Sequence, residues 1–173
     1  MVHRWIGRAA LAATVVAWLA GPAIAATPQE ETVKAFNELI RHAKDGQAGY
    51  QLAAEKIQDP SLKTEFSKEA QKRQEFARTL QDRVMKLGGK PETDTSAVGD
   101  VHRGWMNIKS AITQGDKAIL AEVIRGEEAA VKSYDEALTK GLPADARPVV
   151  QQQRDEIAKS LETARTHQST HGG

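Results

Sequence analysis

At 173 residues, with 24 Lys+Arg against 23 Asp+Glu, the chain has the length of one domain and no concentration of positive charge, which argues against nucleic acid as its main ligand. It contains no cysteine, which excludes disulfides, thiolate metal sites, cysteine nucleophiles and lipoprotein acylation and leaves packing alone to hold the fold.

The first predicted element is an export leader. His3, Arg4 and Arg8 precede an apolar run from Ala9 to Leu19, and Gly21-Pro22 then breaks it. Ala23-Ile24-Ala25 supplies the small-x-small pattern for a cut after Ala25. The run falls short of the roughly 20 residues a spanning helix needs, which favours a cleaved signal peptide over an anchor. Cleavage removes Arg4 and Arg8, takes the formal charge from +1 to −1, and leaves a chain with no transmembrane segment, most simply periplasmic.

Four segments with helical periodicity follow. The first opens on Thr27-Pro28-Gln29-Glu30, a capping box with proline at the first helical position, and carries the stripe Val33, Phe36, Ile40, Ala43, Gln47, Tyr50, Ala54, Ile57. Asp59-Pro60 closes it and caps the second, which runs to Leu87 before Gly88-Gly89 with Leu62, Phe66, Glu69, Arg73, Phe76, Leu80 and Val84 on one face. The third starts after Gly115-Asp116, ends at Gly141 and shows Leu120, Val123, Glu127, Ala130, Tyr134 and Ala137. The fourth begins near Pro143 and continues through Val150, Gln153, Ile157, Leu161 and Ala164, so the bundle domain spans 26–165 and residues 166–173 form a disordered polar tail. Lys44-Asp45-Gly46 with Tyr50 faintly echoes Arg125-Gly126-Glu127 with Tyr134, as an internal duplication would.

Between the second and third helices lie about 27 residues, too many for a turn. Val98, Val101, Trp105, Ile108 and Ile112 recur at three-four spacing, the pattern of a short amphipathic helix lying across the bundle, with Trp105 docking it or contacting a partner. A connection of that length lets the second and third helices run parallel. The predicted fold is therefore all-α: a ferritin-like antiparallel four-helix bundle, two helical hairpins joined by a long crossover that contains the short helix. A simple up-down-up-down bundle is the alternative.

The polar residues on the apolar stripes are the candidate site, because a polar group facing a core costs free energy unless it is paired. Gln47, Glu69, Arg73, Glu127 and Gln153 all fall near mid-helix and are expected to share one layer. A ferritin-type di-metal centre would need a carboxylate from each of two helices and Glu-x-x-His from each of the other two. Here the first helix offers Gln47, the second Arg73-Gln74-Glu75-Phe76, and the fourth Glu156 followed by Lys159 and Ser160. The expectation is that the Arg73 guanidinium neutralises the layer in a metal's place, pairing with Glu69 or Glu127. An ordinary i,i+4 surface pair between Glu69 and Arg73 is the competing reading. His167 and His171, four apart in the tail, are the remaining weak metal candidates.

Several runs resemble a known family. Asn37-Glu38-Leu39-Ile40, Lys44-Asp45-Gly46, Ala53-Ala54-Glu55, Asp59-Pro60, the segment His102-Arg103-Gly104-Trp105-Met106-Asn107-Ile108-Lys109-Ser110 and Arg125-Gly126-Glu127 resemble the bacterial four-helix-bundle proteins of domain of unknown function 2383, over roughly residues 31 to 140. The resemblance implies a ferritin-like fold with no established activity, substrate or catalytic residue. It also implies Glu where this chain has Gln47, and an export leader departs from the family pattern. No Ser/His/Asp set, phosphate-cradling glycine loop or nucleophile elbow occurs. The expectation is thus a non-enzymatic, exported, stress-associated bundle without a cofactor. It would bind a protein, a second copy in a homodimer, or a small ligand. A metal-binding di-iron or manganese carboxylate protein of storage or oxidase type is the alternative.

Overall fold

The computed structural model describes residues 27–93 and 108–170. They form four long helices, α1 (Pro28–Lys56), α2 (Pro60–Lys86), α3 (Asp116–Thr139) and α4 (Arg147–Thr170), with a short helical turn, Ile108–Ala111, and a 3-10 turn, Ile112–Gln114, before α3. No strand occurs among the described residues. The predicted leader, and Val98, Val101 and Trp105 of the crossover, lie outside them.

Local chemistry sets the helix starts. Thr27 Oγ1 accepts the Glu30 amide at 3.2 Å while Glu30 Oε2 accepts the Thr27 amide at 2.7 Å, so the capping box satisfies two amides that the helix itself leaves unbonded. Asp59 Oδ1 accepts the amides of Ser61 and Leu62 at 2.7 and 3.1 Å and starts α2. Asp116 caps the α1–α2 corner from outside, accepting the amides of Gln58 and Asp59 at 2.9 and 3.0 Å.

These contacts also fix the connectivity. Asp116, which opens α3, meets the end of α1, and Arg83 near the end of α2 reaches Asp145 in the α3–α4 corner at 3.1 Å. His167 near the end of α4 meets Glu65 near the start of α2 at 2.9 Å. So α2 and α3 run parallel, and the link between them must travel the length of the bundle. Its first residues do so along α1. Gln29 donates to the Leu87 carbonyl at 2.6 Å, Asn37 donates to the Lys90 carbonyl at 3.0 Å and accepts the Glu92 amide at 2.8 Å, and Arg41 pairs with Glu92 at 2.8 Å. The Lys44 ammonium donates to the Thr93 carbonyl beyond them. The fold is two hairpins with one long crossover, as expected, and the up-down-up-down alternative is excluded.

Gly89 lies where this crossover leaves α2. A β-carbon there would stand 2.7 and 2.8 Å from the two Val33 methyls, closer than packed atoms come. Gly89→Ala is expected to lower stability by about 1–3 kcal/mol, the usual cost of overpacking, seen as a lower urea midpoint at unchanged slope.

Two boundaries differ from the sequence reading. The fourth helix begins at Arg147 rather than near Pro143, because the Pro143 carbonyl takes the amides of Ala146 and Arg147 at 3.0 Å each in a preceding turn. It continues to Thr170 instead of dissolving into a disordered tail at Thr166. The His167–Glu65 contact ties its end to α2, and Thr166 and Thr170 hydroxyls donate to the carbonyls of Glu162 and Thr166 at 2.9 and 3.1 Å.

The apolar core falls into two clusters. One gathers Phe36, Leu39, Ile40, Leu80, Val84, Val150 and Ile157; the other gathers Ile57, Leu62, Phe66, Ile108, Ile119, Leu120, Val123 and Leu161. Each helix passes from one to the other at a common level: between Ala43 and Tyr50, Ala70 and Phe76, Ile124 and Ala130, and Ile157 and Leu161. That level holds Arg73, Glu127 and Ser160, with Glu69 at its border and Gln153 about a turn away along the fourth helix.

Candidate functional site

Arg73 is 2% exposed and Glu127 0%, so both charges have left water entirely. Such burial is tolerable only when the charges meet each other. They do. Arg73 Nη2 donates to both Glu127 oxygens at 2.8 Å, and the Tyr50 hydroxyl bonds the same carboxylate. The guanidinium carbon lies 5.6 Å from the Tyr50 ring centre and 5.3 Å from that of Phe76, within the range of about 6 Å where a cation is drawn to an aromatic face. The Arg73 stem packs on Gly46: a β-carbon there would stand 3.4 Å from Arg73 Cγ and Cδ, in ordinary contact with it.

The other members lie around this pair. Glu69 Oε2 is 3.8 Å from Arg73 Nη2; its carboxylate accepts Ser160 Oγ at 2.8 Å and Lys72 Nζ at 2.7 Å. Gln153 is buried a step along α4, accepting the Tyr134 hydroxyl at 2.9 Å and donating to the Phe76 carbonyl at 3.4 Å. Arg73, Glu127, Glu69 and Gln153 are thus gathered at mid-bundle. The surface-pair reading of Glu69 and Arg73 fails on burial.

Gln47 does not join them. It is half-buried and lines an outer groove between α1 and α2 with Gln51, Ser67, Gln71 and Gln74. After Ala43 the inward position of α1 falls on Gly46, one residue earlier, which is buried against the Arg73 stem. His167 is engaged by Glu65 across the α2–α4 seam, and His171 and Trp105 lie outside the described residues.

Sequence reasoning missed two roles. Tyr50 and Tyr134 were placed in the core as apolar bulk, yet their hydroxyls complete the polar level; a buried phenol nearly always needs a partner, and that was the available signal. It also missed Asp45 and Glu122, buried at 3% and 5%. Glu122 pairs with Arg125 and keeps Oε2 without a hydrogen-bond partner.

Electrostatics follow from burial. Loss of water pushes the Glu127 carboxyl above its ordinary range, against the pull of Arg73 and Tyr50. For Arg73, burial opposes the charge, but Glu127, Tyr50 and Glu69 together outweigh it and hold the guanidinium protonated. Burial also raises both tyrosines, the only two in the chain, well above an ordinary phenol. A raised folded-state value means stability is intact below about pH 10 and falls as pH climbs through the gap between unfolded and folded values. Phenolate absorbance is therefore expected to appear only as helical circular dichroism is lost; ionisation of either tyrosine in the folded chain would contradict the burial.

The donors here do not fit a di-metal pair. A guanidinium nitrogen stands within 2.8 Å of one carboxylate and 3.8 Å of the other, so a metal would meet a fixed positive charge where its ligands should be. Among the described residues no imidazole joins the level, and they hold no group of three or more His, Cys, Asp or Glu placed to bind a metal ion.

The model of the family called domain of unknown function (DUF2383) matches residues 31–140. The chain belongs to that family. This DUF2383 chain is also similar to a crystal structure of "ferritin like, diiron-carboxylate proteins" from Bacillus anthracis str. Ames. The identity is 16%, the match covers 84% of this chain and 96% of that one, and the TM-score is 0.56, a likeness that establishes the ferritin-like fold. No curated protein matches. No described helix is long and apolar enough to cross a membrane.

Proposed function

We propose that this DUF2383 chain is an exported, non-enzymatic ferritin-like bundle that acts by binding a protein or small ligand, its core closed by an ion pair instead of a metal centre. One observation carries the reading: Arg73, buried at mid-bundle, neutralises Glu127 and stands beside Glu69, where di-metal chemistry would need open carboxylates and imidazoles. Export is supported by the basic, apolar and small-residue order of residues 1–25.

Both parts are testable. Ferrous iron mixed aerobically with the purified protein is expected to oxidise at the rate seen in buffer, and an acceleration saturating at two irons per chain would overturn the reading. Cell fractionation with N-terminal sequencing is expected to return a periplasmic product that begins at Ala26. A cytoplasmic product still starting at Met1 or Val2 would remove the export half.

A further inference from the structure

We infer that Arg73 holds both the place and the charge of a core metal, so that the level around Glu127 is a latent divalent-cation site which the guanidinium blocks. The inference rests on the binding-bundle reading and deepens it. Its basis is a mismatch within the buried pair. Arg73 Nη2 serves both Glu127 oxygens, yet Nη1 is buried with no hydrogen-bond partner. An unmet donor in the interior is costly, so donor matching is not what keeps arginine here. Charge is: a carboxylate buried as deeply as Glu127 needs a cation against it.

The surroundings would suit a small hard ion once the side chain is gone. Glu127 offers two oxygens, Glu69 turns Oε2 toward the same nitrogen, and the Tyr50 hydroxyl already bonds Glu127. All are oxygen donors, the set that suits manganese or magnesium; the chain has no cysteine, and among the described residues no imidazole joins them to select a softer metal. Truncation to alanine would also open the volume beside Gly46 that the Arg73 stem now fills.

The experiment titrates Mn2+ alone into the wild-type chain, Arg73→Ala, Arg73→Lys and the double variant Arg73→Ala/Glu127→Gln, by calorimetry and thermal melting. Arg73→Ala is expected to bind Mn2+ at least about tenfold more tightly than wild type and to gain thermal stability from it. The lysine variant keeps the blocking charge and is expected to stay silent, as is the double variant. If Arg73→Ala does not fold alone, Mn2+ is expected to restore its helical circular dichroism and to leave the helical signal of the double variant unchanged. Wild type binding Mn2+ as tightly as Arg73→Ala would sink the reading beneath the inference. A silent wild type beside an Arg73→Ala chain that neither binds Mn2+ nor is refolded by it would overturn the inference alone.

Discussion

Glu127→Leu is expected to lower the unfolding free energy by about 3–5 kcal/mol, the cost of leaving one member of a buried ion pair without its counter-charge. Leucine keeps most of the packing volume, so the loss isolates the charge. Arg73 has no cheap escape. A guanidinium does not deprotonate in a protein, and this one is 2% exposed between the rings of Tyr50 and Phe76. To reach water it must give up those ring contacts. Against a total stability of about 5–15 kcal/mol for a domain, the change is large enough to leave a measurable unfolded population. Urea unfolding followed by circular dichroism reads it directly. A loss below about 1 kcal/mol would mean that Arg73 reaches solvent or that Glu69, 3.8 Å from its Nη2, takes over as counter-charge.

Adding Arg73→Met to that variant is expected to restore the loss completely and bring the double variant to wild-type stability or about 1–4 kcal/mol above it. The reason is the asymmetry of buried charge. A lone charge is costly, a pair roughly breaks even against its own desolvation, and two apolar side chains of similar volume carry no such penalty. The buried Nη1 without a partner and the raised Glu127 carboxyl both indicate that the native pair is satisfied only in part. The same urea experiment decides the matter, and a double variant no better than Glu127→Leu would show that the arginine was needed for packing.

Much of the fold was legible because its signals are local. Thr27 with Glu30, Asp59 with Pro60, and Gly115 before Asp116 mark helix ends within four residues, and the structure uses each of them. The crossover followed from chain length, since a connection too long for a turn has to go somewhere. The end of α4 was not legible, because what holds it is Glu65, 102 residues away from His167.

The site was half legible for a related reason. Stripe periodicity brought Arg73 and Glu127 to one depth, but it could not choose Glu127 over Glu69, which is one turn away on the same helix as the arginine. That choice depends on reach across the core. Gln47 was misplaced because a step of three or four from Ala43 lands on Gly46 or Gln47, and glycine carries no hydrophobic signal. Its contact is with the Arg73 stem, visible only once the two helices are packed together.

A double-mutant cycle tests the central claim most directly: wild type, Arg73→Met, Glu127→Leu and the double variant, each unfolded in urea under one set of conditions. The buried pair predicts a coupling energy of at least about 2 kcal/mol, with each single variant much less stable than the double. Additive losses, with coupling near zero, would contradict it and mean that the two charges do not meet at the centre of the bundle.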